Sequence, residues 1–125
     1  MTSMIEDQVA FMNAGNQETN RRNYIQLELY KHLIQEESME LINAIDNEPL
    51  ENQVKEAVDV LVVTIGYLVS LNIDVQKAWE LVHVNNMLKV QNVQKDETGK
   101  IIKSSSSKEH KQQLMQSLQD LVFEQ

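Results

Sequence analysis

The sequence predicts an all-α protein, an antiparallel bundle of amphipathic helices that forms one domain over residues 1–125 and is completed by homo-oligomerisation. Three observations carry this. Apolar residues recur at helical spacing over long stretches, and only three glycines and one proline interrupt 125 residues. A sheet protein of this length needs more turn residues. The most apolar segment, residues 57–69, holds many β-branched side chains but is too long for a single strand. A 42% hydrophobic content is ordinary for a domain with a modest core.

The first helix is expected over residues 3–14, where Ile5, Val9, Phe11 and Met12 supply an apolar face, ending near Gly15 in a polar loop. A long second helix is expected over about residues 22–46. Leu27, Tyr30, Ile34, Leu41 and Ile45 form one of its stripes, and Leu29, Leu33 and Ala44 lie beside it. Extending the two stripes through the middle reaches acids: Glu37 on the first, Glu36 and Glu40 on the second. After a turn at Pro49, a third helix over about residues 51–71 is apolar nearly all round and reads as the central buried helix. Asp74 is a suitable N-cap for a fourth helix to about residue 90, with Val75, Ala78, Trp79, Val82 and Leu88 available for packing. Residues 96–100 read as a turn, 104–107 as a flexible linker and 108–123 as a last amphipathic helix.

A formal charge of −8 opposes nonspecific binding to a nucleic-acid backbone. Six of the eleven Lys and Arg fall between residues 89 and 111, so a basic C-terminal third follows an acidic middle. That arrangement suits a small polyanion held through metal. The absence of cysteine removes disulfides, thiolate metal sites and thiol nucleophiles, and fits a reducing cytosol. The N-terminus lacks the basic and apolar regions of a secretory signal, and the apolar run over residues 58–71 is too short and too interrupted to span a membrane. A cytoplasmic protein with no membrane partner is expected.

Chemistry concentrates in two short patterns. Glu37 and Glu40 make E-x-x-E on the second helix, and Glu56 and Asp59 make E-x-x-D on the third. Residues three apart share a helix face, so the two pairs converge if the helices are antiparallel, with Glu36 at the rim. Like charges at contact distance in a partly desolvated site repel on a scale that rivals the stability of a domain. Either the acids protonate or divalent cations sit among them. Hard oxygen ligands without cysteine or a nearby histidine pair select Mg²⁺ or Mn²⁺ over Zn²⁺. A di-iron centre requires Glu-x-x-His, a spacing that His32, His83 and His110 do not provide. Charges on helices are usually solvated, but Asp59 lies between Val58 and Val60, where an unpaired carboxylate is unfavourable.

Glu36, Glu37 and Glu40, then fifteen residues, then Glu56 and Asp59 resemble the EExxE…ExxD signature of the all-α NTP pyrophosphatases, the superfamily of MazG and phosphoribosyl-ATP pyrophosphohydrolase. Downstream, Asn86, Met87 and Lys89, followed by Asp96, Glu97, Gly99 and Lys100, resemble the N-M-x-K and D-E-x-G-K segments of phage-type, MazG-like members. The likeness runs over about residues 5–103 and departs afterwards, where a serine run replaces a proline-containing segment.

The resemblance implies Mg²⁺-dependent cleavage between the α- and β-phosphates of a nucleotide, releasing a monophosphate and pyrophosphate. It implies Glu37, Glu40, Glu56 and Asp59 as metal ligands, with Glu36 as a further ligand or the group that orients the attacking water. Asn86, Lys89, Lys100 and Lys103 are then candidates for phosphate or sugar contacts, and Asn13, Asn16 and Gln17 for reading the base. The phage-type character favours purine deoxynucleoside triphosphates, a role in nucleotide-pool control in a host cytoplasm, and a homodimer or homotetramer. Two alternatives stand beside it: a noncatalytic helical interaction module stabilised by metal, opposed by the intact acids, and a phosphoribosyl-ATP enzyme, opposed by the downstream segments.

Overall fold

The computed structural model describes residues 2–91, 94–102 and 107–123. Its elements are α1 (Met4–Ala14), α2 (Tyr24–Asn47), α3 (Leu50–Ser70), α4 (Val75–Lys89), β1 (Gln94–Lys95), β2 (Ile101–Ile102) and α5 (Ser107–Phe123). Among the described residues the fold is helical apart from one two-residue hairpin, as the sparse turn residues predict. The chain divides into two compact units, Met1–Ile73 and Asp74–Gln125. No single helix among the described residues is long and apolar enough to cross a membrane.

In the first unit, α2 and α3 form the principal packed pair, and α1 lies against α3. The pair is antiparallel, because Gln26 meets Ser70, Tyr30 meets Gly66 and Glu37 meets Asp59 along its length. Two of the helix starts in this unit carry side-chain caps. The Ser3 hydroxyl accepts from the Glu6 N–H, and the Asn23 amide oxygen accepts from the Gln26 N–H. Glu48 shapes the tight α2–α3 turn: its carboxylate accepts from the amides of Asn43 (3.1 Å) and Asn52 (3.0 Å), and its carbonyl accepts from Gln53 Nε2 (2.9 Å). Three amides converging on one residue leave little freedom in how α3 returns along α2.

The core of this unit lies at the end remote from that turn. Tyr30 is buried against Gly66, where an added Cβ would collide with the ring. The Tyr30 hydroxyl donates to Gln17 Oε1 at 2.6 Å. Buried Gln26 donates from Nε2 both to the Glu18 carbonyl and to Ser70 Oγ, at 2.8 Å each. Ser70 in turn donates to the Gly66 carbonyl, so the network closes. Arg22 Nε donates to the Leu71 carbonyl at 2.8 Å and ties the start of α2 to the end of α3.

The reading of the third helix as the central buried one is met only in part within a single copy of the chain. Only the C-terminal half of α3 is buried, at Val63, Gly66, Val69 and Ser70, whereas Leu50, Val54, Val58 and Leu61 are exposed. The hydrophobic pattern reports that a face is apolar but not what covers it.

In the second unit α4 packs on α5. Asp74 caps α4 by accepting from the Lys77 N–H, as its position predicts. The stretch read only as a turn is the loop of a hairpin in which Gln94 pairs with Ile102 and Lys95 with Ile101. Asp96 Oδ1 accepts from the N–H groups of Thr98 and Lys100 and from the Thr98 hydroxyl. These bonds hold the Asp96 carboxyl below the usual range, the Thr98 hydroxyl contributing most. Gly99, at φ 86°, supplies the left-handed backbone the turn requires. Of the expected linker, residues 104–106 lie outside the described residues, and Ser107 already belongs to α5.

Candidate active site

The turn at Pro49 brings the first turns of α3 alongside the second half of α2, which sets E-x-x-E opposite E-x-x-D. One carboxylate oxygen from each of Glu37, Glu56 and Asp59 lies within 4.8 Å of the other two. Glu40 is exposed and stands outside that trio, but its charge acts on both Glu37 and Glu56, so the two pairs form one electrostatic group. Glu36, the residue before Glu37, is exposed to solvent.

The trio carries an unresolved electrostatic cost. Glu37 Oε2 and Glu56 Oε2 are buried and accept no hydrogen bond, a condition that native proteins seldom leave without a reason. Burial pushes the Glu37 carboxyl above the ordinary glutamate range, and the charges of Glu40 and Asp59 push it further. Burial raises Glu56 as well; Lys55 opposes that shift and Glu40 adds to it. Carboxylates turned toward one another with spare lone pairs are the donor set of a hard divalent cation, so the residues present fit such an ion.

Lys55 went unnoticed in the sequence. Its ammonium lies 2.7 Å from Asp59 Oδ2 and 3.7 Å from Glu56 Oε1. That contact draws the Lys55 pKa upward, chiefly through the hydrogen bond to Asp59. The i,i+4 relation of Lys55 to Asp59 was the available signal.

The other predicted residues occupy varied settings. Asn13 is exposed and its Oδ1 accepts from the Thr19 hydroxyl, while Gln17 is half-buried and receives the Tyr30 hydroxyl. Asn16 holds a left-handed backbone at φ 59° just past the end of α1. In the second unit Asn86 is exposed on α4, Lys89 is half-buried in its last turn, and Lys100 is exposed on the hairpin. The neighbouring Asn85 is instead buried, with an unpartnered amide oxygen. Lys103 lies outside the described residues.

The helical fold and the paired carboxylates on two antiparallel helices agree with a family-model match, which assigns the protein to the pyrophosphohydrolases of the MazG-like all-α NTP pyrophosphatase superfamily. Within it, the family model described as phosphoribosyl-ATP pyrophosphohydrolase matches residues 9–86, more than half of the chain and all five acids, and the protein belongs to that family. No curated protein and no solved structure matches it.

Proposed function

We propose that the protein is a Mg²⁺-dependent nucleoside triphosphate pyrophosphohydrolase that cleaves between the α- and β-phosphates, with purine deoxynucleoside triphosphates as substrates and nucleotide-pool control in the cytoplasm as its role. The observation that carries the metal-dependent part is the meeting of Glu37, Glu56 and Asp59 with two buried, unpartnered carboxylate oxygens. The preference for deoxynucleotides rests on the phage-type segments at Asn86 to Lys89 and Asp96 to Lys100.

In this reading Glu37, Glu40, Glu56 and Asp59 hold the cation, for which Mn²⁺ is a substitute. When bound, it neutralises polyphosphate charge and makes a water more acidic. Glu36 accepts a hydrogen bond from the attacking water and fixes its direction, a role suited to a solvent-facing carboxylate beside the cluster. Asn86, Lys89, Lys100 and Lys103 bind phosphate or sugar oxygens, and Asn13 and Gln17 read the base edge. Residues 1–125 act as one catalytic domain. The exposed apolar residues Ile42, Ile45, Leu50, Val54, Val58 and Leu61 support a homo-oligomer in which α2 and α3 meet a second copy. Light scattering coupled to gel filtration tests this, and a monomer at micromolar concentration would remove it.

A second reading has a specific observation in its favour: the matching family model is that of phosphoribosyl-ATP pyrophosphohydrolase, whose substrate presents the same scissile linkage. The deciding experiment supplies each common NTP, each dNTP, dUTP and phosphoribosyl-ATP with Mg²⁺ and scores pyrophosphate separately from orthophosphate, with Glu37→Gln as control. Pyrophosphate from dATP or dGTP supports the first reading, whereas turnover of phosphoribosyl-ATP alone supports the second. Release of orthophosphate only would exclude both.

A further inference from the structure

The Lys55 ammonium lies on the solvent side of the carboxylate cluster. Its side chain is 69% exposed, against 16% for Glu56 and 29% for Asp59, and its Nζ contacts an oxygen of each. An ordinary exposed i,i+4 pair joins two solvated groups and contributes little. Here the acidic partners are half-buried, belong to a group of mutually repelling carboxylates, and include a residue whose other oxygen is buried and unpartnered.

We propose that Lys55 is a built-in counter-ion that takes the electrostatic place of the metal in the metal-free protein, and that it must be displaced for the metal to enter, so that it lowers and thereby sets the metal affinity. It has this role only if the cluster is the metal centre proposed above. The geometry makes the two cations competitors. A hard divalent ion binds carboxylate oxygen at about 2.0–2.1 Å for Mg²⁺, and Asp59 Oδ2 already receives the ammonium at 2.7 Å. Both cations on that oxygen would stand close enough to repel strongly. The lysine has the flexible four-carbon stem needed to withdraw, and its exposure leaves it room to do so. In the metal-free protein the same ammonium offsets part of the repulsion among the acids, so its loss should weaken the empty site and strengthen the filled one.

The test titrates MnCl₂, without nucleotide, into the full-length wild type and the Lys55→Gln and Lys55→Arg variants by calorimetry, and records each melting temperature with and without Mn²⁺. For Lys55→Gln the Kd for Mn²⁺ should tighten roughly three- to tenfold, the scale expected for removing one nearby solvent-exposed charge. Its metal-free melting temperature should fall, and saturating Mn²⁺ should restore it to the wild-type holo value or above. Lys55→Arg keeps the cation and should bind Mn²⁺ no more tightly than wild type. A Lys55→Gln Kd that is unchanged or weaker, alongside normal wild-type binding, overturns the role of Lys55 and leaves the metal centre standing. Absence of Mn²⁺ binding by the wild type, or binding that Glu37→Gln leaves untouched, overturns both.

Discussion

The two ends of the α2–α3 pair treat buried polar groups in opposite ways. At one end Gln26, Ser70, Glu18, Tyr30 and Gln17 form a closed set of hydrogen bonds around the contact of Tyr30 with Gly66. At the other, about two turns along the same helices, Glu37 and Glu56 each bury an oxygen that nothing satisfies. The first end is polar chemistry used to hold the helices in register. The second departs from that rule, and the amides of Asn43, Asn52 and Gln53 are committed to Glu48 instead. Unsatisfied groups beside a well-satisfied network call for an explanation, and the proposed metal supplies one.

The contrast can be broken most forcefully at the acidic end. Glu37→Gln or Asp59→Asn should lower turnover about 100-fold or more, the scale of losing a group that supports transition-state charge, while the metal-free melting temperature holds or rises because repulsion is relieved. Wild-type activity in either variant would show that the cluster is not catalytic. A parallel fall in metal-free stability would show that the acids serve the fold.

At the packed end, Gly66→Ala places a methyl group into the Tyr30 ring and should cost about 1–3 kcal/mol, read by urea denaturation. Turnover measured well below the melting temperature should change little. Ser70→Ala removes one acceptor from Gln26, whose Nε2 retains the Glu18 carbonyl, so the expected cost is about 1 kcal/mol. If Ser70→Ala cost as much as Gly66→Ala, the hydrogen-bond network rather than the close helix approach would be holding the register.

The smallest effect is on pH dependence. The folded protein holds protons on Glu37 and Glu56 more tightly than the unfolded chain does, so their contribution to stability grows as pH falls from neutral toward the ordinary glutamate range and is lost as pH rises through the raised values. Metal-free Glu37→Gln lacks the Glu37 share of this change. Its advantage in melting temperature over the wild type should therefore be largest near pH 7.5 and shrink toward pH 5, and saturating Mg²⁺ should flatten the wild-type dependence. An advantage that grew on acidification would contradict the raised Glu37 pKa.

Much of this was legible before any coordinates. Helix existence followed from periodicity, the cap at Asp74 from residue type, and the convergence of Glu37, Glu56 and Asp59 from two i,i+3 pairs joined by a short turn. The hairpin was not legible, because two-residue strands have no period to read and only the Asp96–Gly99 turn chemistry signals them. The burial of α3 was legible only in part. An apolar stripe such as Leu50, Val54, Val58 and Leu61 looks the same in sequence whether it faces a core or lies open.

The sequence by itself determined the helical class, the order of the helices and the residue types able to hold a hard cation, because these depend on local spacing and side-chain chemistry. Only the tertiary structure decided that Glu37, Glu56 and Asp59 form the inner trio, that Glu40 acts from outside it, and that Lys55 reaches across to Asp59 and Glu56. Those distinctions depend on the rotation of each helix about its axis. That rotation is set by contacts remote in sequence, above all Tyr30 on Gly66 and Gln26 on Ser70, which no local pattern encodes.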